Sequence, residues 1–306
     1  GEDLTEVLEA IANNNEFSTK ENKEMKVGVH ILPRFAKDTT DRNRTSPFAF
    51  TGNKFEFRML GSTFSISGPN IILNTIVAEE LDQFAEILEK SVDFDKAVHQ
   101  IIVDTYNNHK RIIFNGNNYD DKWVEEAEKR ELLNLKSTPE ALPYFVSDKN
   151  IKLFTKHKIF TEAEMHSRYE ILLENYSKVI NIESLTMVDI AKKDILPAVT
   201  AYIKDLSETV LNLKAVNANL NTDAEEKLLE KLTALSSCLY KKTQQLEAEI
   251  LKAKDIESPQ ECALYYKENV FASMQQLRGV ADELETITAE KYWPFPTYGK
   301  ILYYVD

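Results

Sequence analysis

Residues 41–58 read DRNRTSPFAFTGNKFEFR. They gather four basic side chains, Arg42, Arg44, Lys54 and Arg58, against two acidic ones, Asp41 and Glu56. The stretch ends on a strict alternation, Lys54-Phe55-Glu56-Phe57-Arg58. Alternate side chains of a strand share a face. A strand here therefore sets Lys54, Glu56 and Arg58 in a row of cation, anion and cation, with about 7 Å between neighbours. Phe55, Phe57 and Met59 fall on the other face, which suits a core. Two readings of the charged row stay open. It is a solvated surface ladder, or it lines a polar cavity. In the second case Glu56 offers oxygen to a hard divalent cation and Arg58 clamps an anionic oxygen with its planar guanidinium. Arg42 and Arg44 then add charge from the preceding loop. Phosphoryl transfer needs this equipment: a metal held by carboxylate and guanidinium groups around the moving phosphate.

The rest of the chain is unlike this island. It has 306 residues, a net charge of −13, and few glycines (8) or prolines (9) to interrupt helices. So acidic a chain repels phosphate backbones, which argues against nucleic-acid partners and makes a small anion the better ligand for the basic stretch. No apolar run reaches the roughly 18 residues of a membrane span, and the opening GEDLTEVLEAIANN lacks the pattern of a secretory signal. Cys238 and Cys262 have no partner at metal-ligand spacing and read as reduced thiols, so a cytoplasmic location is expected. His30, His99, His109, His157 and His166 form no metal-binding pair and read as structural.

The elements that must position the charged row are read from periodicity. LTEVLEAIA predicts a short amphipathic helix. VGVHILP and KFEFRML predict strands, and RIIF at 111–114 a brief third one. From Asn70 the period becomes helical, giving one long helix to about Leu88 and a second over 94–108. Beyond about 119 the chain reads as entirely helical. Thr161-Glu162-Ala163-Glu164, Thr222-Asp223-Ala224-Glu225 and Ser258-Pro259-Gln260-Glu261 have the form of capping boxes, with Thr138-Pro139-Glu140 a weaker instance. Pro197 kinks or divides the stretch between about 161 and 219. About four long helices between 161 and 288 make a bundle. The ending KYWPFPTYGKILYYVD is expected to be non-helical and extended by its prolines. It docks on its own bundle or forms a subunit interface.

NRTSPFAFTGNKFEFRMLGS, followed by SGPNIILNTIVAE, resembles the end of the catalytic domain of glutamine synthetases, most closely the long type III class. In that family an Asn-Arg segment, here Asn43-Arg44, precedes a strand of the form basic–apolar–Glu–apolar–Arg, here Lys54 to Arg58. The resemblance continues through HKRIIFNG, KWVEEAEKR, LLNLKSTPEALP, HSRYEILLENY and YWPFPTYG and covers essentially the whole chain. It implies ATP-dependent joining of glutamate and ammonia through γ-glutamyl phosphate, with Mg²⁺ or Mn²⁺, in a homo-oligomer. It also implies roles. Arg44 contacts ATP phosphates and Lys54 lies near the nucleotide. Glu56 ligates the metal, and Arg58 stabilises the transferring phosphoryl group. Arg42 is a helper. Shorter members carry another arginine five residues after the one matched by Arg44; this chain has Ala49 there.

The fold expected is mainly α with some β (α+β): a few strands from an incomplete catalytic barrel, then a long-helix bundle. Residues 1–118 are expected to be the catalytic-domain portion and 119–306 a helical C-terminal domain. The family's N-terminal β-grasp domain, its further Glu and His metal ligands and its glutamate flap are not found in this sequence. The chain alone is therefore expected to be inactive. The rival expectation is a non-catalytic helical interaction or oligomerisation module, with the charged strand a surface feature.

Overall fold

A computed structural model describes residues 2–13, 15, 24–25, 35–36, 48–50, 54–58, 61, 64–116, 120–296 and 298–303. The expected strand VGVHILP, His30, Arg42 and Arg44 lie outside them. The protein divides into two compact units. The first comprises residues 1–135 and 152–159, the second residues 136–151 and 160–306.

The first unit opens with α1 (Glu2–Ala12) and two short antiparallel pairs. One joins β1 (Glu24–Met25) to β2 (Phe35–Ala36), the other β3 (Phe48–Phe50) to β4 (Phe55–Phe57). Helices α2 (Ser67–Glu89), α3 (Phe94–His109) and α4 (Asp121–Lys129) follow. Asp93 starts α3 by accepting the Lys96 N–H, and Asp120 starts α4 by accepting that of Lys122. In place of the brief strand expected at 111–114, Lys110–Ile112 form a 3₁₀ turn that extends α3. β-branched residues alone do not make a strand where no partner strand is offered. The turn is held from α4: Arg130 donates to the carbonyls of Arg111 and Ile113, at 3.2 and 2.8 Å. Its guanidinium lies over the Trp123 ring, which stacks on Phe114.

Helix α2 is apolar around most of its circumference, yet Thr75 is its only buried residue. Ile72, Ile76, Val77, Leu81 and Ile87 are exposed. A helix of that character is normally enclosed on all sides.

The second unit is the predicted bundle. Helix α5 (Thr138–Phe145) and the first residues of α6 (Asp148–Lys156) lead into three long rods. The first is α7 (Glu162–Ile190), continued through a π-helical turn at Ala191–Ile195 into α8 (Leu196–Val216). The second is α9 (Asp223–Ala253). The third is α10 (Pro259–Tyr265), continued through a π turn at Tyr266–Val270 into α11 (Phe271–Ile287). Pro197 divides the first rod as expected, and the form of the break follows from its chemistry. Proline has no N–H, and its ring crowds the carbonyl four residues earlier. The backbone widens one turn ahead, so the Leu196 N–H bonds to Ala191 rather than to residue 192.

The core is built on α9, whose Leu232, Leu239, Leu246 and Ala253 recur every seven residues and are fully or almost fully buried. They belong to one cluster with Ile195, Val199, Val270, Leu277 and Leu284 from the flanking rods. The Thr161 capping box is complete: its hydroxyl accepts the Glu164 N–H while Glu164 accepts the Thr161 N–H. Ser258 caps α10 through the Glu261 N–H, with Pro259 in the first turn. At Thr222 the expected box does not form. Its hydroxyl donates to Glu226, one residue beyond the expected partner. Ser137, not Thr138, is the cap position of α5, and its hydroxyl donates to Glu140.

The aromatic ending is only partly as expected. Trp293 packs against the core and Tyr292 stacks on Tyr202, so this part docks on its own bundle. Tyr298–Tyr303, expected to be extended, forms a short helix α12. It begins just past the last proline, where nothing removes a backbone donor.

Candidate functional site

Strand β4 carries the charged row. Its antiparallel register with β3 pairs Phe48 with Phe57, Ala49 with Glu56 and Phe50 with Phe55. The hairpin fixes which side chains can meet, because directly opposed positions share a face. Position 49 therefore stands opposite Glu56.

Lys54, Glu56 and Arg58 converge. Arg58 donates from Nε and Nη2 to Glu56 Oε2, at 3.1 and 2.9 Å. Lys54 Nζ lies 3.5 Å from Oε1. Glu56 thus has a cation on each oxygen. The Arg58 hydrogen bonds hold its carboxyl below the usual carboxylate range; desolvation opposes them, and the charge of Arg58 and the Lys54 contact reinforce them. An ionised carboxylate is what a hard cation requires. The triad as a whole carries one net positive charge, which favours an anion.

The other face differs from expectation. Phe55 is 61% and Phe57 41% exposed, so the aromatic face of β4 is open in this chain rather than packed in a core. A two-stranded hairpin has too little apolar surface of its own to cover both faces.

Among the described residues no group of three or more His, Cys, Asp or Glu side chains could hold a metal ion. Glu56 offers a single carboxylate. That donor set suits Mg²⁺ held mainly by phosphate and water oxygens, and does not suit a cage made by protein alone. Cys238 and Cys262 are free and half-buried, as expected.

One charged cluster was not legible in the sequence. In the first unit, Glu79 of α2 accepts from Lys156 at 2.8 Å and contacts His157 Nε2 at 2.6 Å, while Lys156 also reaches Asp82 at 2.9 Å. Gln83 donates to the other Glu79 oxygen. These bonds, the Lys156 bond foremost, lower the Glu79 carboxyl to about 2. The partners are 77 and 78 residues apart in sequence, so no local pattern announces them. The cluster clasps the end of α6 to α2.

Comparison with known proteins gives a consistent result. A family model described as glutamine synthetase C-terminal domain matches residues 97–214. A glutamine synthetase of Butyrivibrio fibrisolvens is 42% identical over 99% of this chain and 43% of its own length. A type-3 glutamine synthetase of Dictyostelium discoideum is 39% identical over 99% of this chain and 42% of its own length. A glutamine synthetase of Bacteroides fragilis is 30% identical over 99% and 43%. The chain spans less than half the length of the relatives it matches. Among the described residues no helix is long and apolar enough to cross a membrane.

Proposed function

This chain belongs to the glutamine synthetase family, with matches that fit a C-terminal portion, and we propose on that premise that it supplies the phosphate-clamping strand of an ATP-dependent glutamate–ammonia ligase. The observation that carries the reading is the Lys54–Glu56–Arg58 triad on β4, with the Arg58 guanidinium seated on a Glu56 carboxylate that stays ionised. Arg58 supplies two N–H donors at a fixed angle, the geometry that matches phosphoryl oxygens. As a nucleotide phosphate arrives, Arg58 exchanges Glu56 for the phosphoryl oxygens and spreads the charge that develops during transfer to the glutamate side chain. With ADP as leaving group the product is γ-glutamyl phosphate; ammonia attacks its acyl carbon, and inorganic phosphate leaves as the amide forms. Glu56, released on one side, becomes a metal ligand. A divalent cation held by Glu56 and phosphate oxygens, Mg²⁺ or Mn²⁺, would supply positive charge that offsets repulsion between those oxygens and the attacking carboxylate. Lys54 adds a point charge near the nucleotide. Arg44 contacts ATP phosphates, and Arg42 assists from the same segment.

In this reading residues 1–118 are the end of the catalytic domain and 119–306 the helical C-terminal domain. The packing border falls later, at residue 135, because Arg130 ties α4 back to residues 111–113. The exposed aromatic face of β4 and the open apolar surface of α2 support a catalytic domain completed by further chain, so this portion is inactive alone. The helical unit serves a cytoplasmic homo-oligomer. The exposed stripe Ile171, Val179, Ile182 and Leu185 on α7 supports an assembly role.

The test is made in the longer parent enzyme. Glu56→Ala and Arg58→Ala each abolish glutamine formation while leaving the far-ultraviolet circular dichroism spectrum and melting temperature unchanged. Near-normal turnover by both variants would overturn the assignment. Purified alone, this chain releases no phosphate from ATP with Mg²⁺, glutamate and ammonia.

A further inference from the structure

The second unit contains a cavity of about 350 Å³ that the phosphate-clamp reading does not use. That volume lies at the small end of the range for small-molecule sites, which are mostly apolar with a few converging polar groups. Its floor is Ile190, Ala191 and Ile195 from the π-turn region and Leu277 from α11. Ala191, Ile195 and Leu277 are buried. The widened turn ahead of Pro197 and the small Ala191 side chain leave room that a regular helix with a larger residue would fill. Such turns recur at functional sites in helical proteins.

One wall is an aromatic corner, with Trp293 and Phe295 meeting edge to face at a centroid distance of 6.2 Å and 72° between planes. The Trp293 indole N–H is buried and has no acceptor among the described residues. A buried N–H without an acceptor is costly and calls for a partner. The rim carries charges of both signs. Arg278, Asp282 and Glu285 follow one another at i, i+4 and i+7, along one face of α11. Arg278 Nε and Asp282 Oδ2 are 3.4 Å apart, long for a charge-assisted bond and well exposed, so exchanging one partner costs little. Glu285 stands one turn beyond that pair on the same rim.

An apolar floor, an aromatic wall, one guanidinium and two carboxylates describe a complement for a small zwitterion with an apolar side chain. We propose that this cavity is a binding site for a free apolar α-amino acid. Arg278 takes the ligand carboxylate, Glu285 and Asp282 take the ammonium, and the side chain enters the floor against Trp293. An organic cation leaves Arg278 facing a ligand of like charge, and a simple carboxylic acid leaves the two rim carboxylates repelling it. Neither satisfies both signs. The site lies wholly within the second unit and does not depend on the catalytic reading of β4.

Calorimetric titration of the whole chain with L-leucine and L-phenylalanine tests this. Isoamylamine, 4-methylpentanoate, glycine and L-glutamate serve as comparison ligands. Saturable binding of the two apolar amino acids is expected, with each comparison ligand at least about tenfold weaker, because each leaves a charged group or the apolar floor without its complement. Arg278→Gln and Glu285→Gln, both substitutions at the rim, should each weaken binding by about tenfold without changing the melting temperature. Absence of saturable binding up to about 10 mM, a range that reaches past a millimolar dissociation constant, overturns the proposal. Equal binding of isoamylamine and leucine removes the role of Arg278 and overturns it too. So does leucine binding untouched by both rim substitutions, which puts the ligand elsewhere.

Discussion

Replacing Leu246 by alanine tests whether the heptad stripe of α9 holds the helical unit together. Leu246 is fully buried, midway between Leu239 and Ala253 in sequence and part of the same core cluster as Ile195, Val270 and Leu277. The change removes three carbons from a site with no solvent on any side. At about 0.8 kcal/mol per buried methylene the transfer loss is about 2.4 kcal/mol. The void left behind adds to it, because rods this long cannot collapse inward at one residue, and the total should reach about 3–4 kcal/mol. For a domain of this size each kcal/mol lowers the melting temperature by about 2–4 °C, so a fall of about 6–16 °C is expected. Val216→Ala is the control. Val216 ends α8 and is 83% exposed, so its truncation should stay within about 0.5 kcal/mol. The assay is a thermal melt followed by circular dichroism at 222 nm and by tryptophan fluorescence, since Trp293 packs on this core. If Leu246→Ala melted with the Val216→Ala control, the stripe would not be the core of the bundle.

Other outcomes follow from local chemistry. Thr161→Ala removes one half of a reciprocal cap and should cost about 1 kcal/mol, read as a small fall in the melting temperature of the helical unit. Glu79 is held at about 2 against an ordinary value of 4.5. Its contribution is therefore complete above pH 4.5 and is lost as pH falls from there toward 2, since the unfolded carboxyl takes up a proton first. Amide exchange in the last turn of α6 should accelerate across that window, and Glu79→Gln should make the exchange insensitive to it. Arg130→Met removes the donors to residues 111 and 113 as well as the contact with Trp123. It should free the 3₁₀ turn, seen as faster amide exchange at Ile113, while the bundle melts unchanged.

Much of the fold was legible because it is written locally. The helix starts at Thr161 and Ser258 need only a hydroxyl at the right offset from a free N–H, and both caps form. The strand Phe55–Phe57 needs only alternation, and it brings Lys54, Glu56 and Arg58 together as the period of two requires. Residues 111–114 misled because Ile112 and Ile113 suit a strand but no strand among the described residues pairs with them, and Arg130 captured the carbonyls of Arg111 and Ile113 instead. Thr222 misled in a smaller way: its hydroxyl had a carboxylate within reach and took it in place of the backbone.

By itself, then, the sequence determined the long helices, the helical bundle and the charged face of β4, because each depends on residues within one or two turns of one another. Tertiary structure alone decided the rest. Glu79 meets Lys156 and His157 only once α2 and α6 are packed. The cavity beside Trp293 exists only where the widened turn before Pro197 comes against α11 and the aromatic ending. Phe55 and Phe57, apolar and well placed for a core, stay exposed because burial depends on what lies opposite, and an alternating pattern states which face is apolar without stating what covers it.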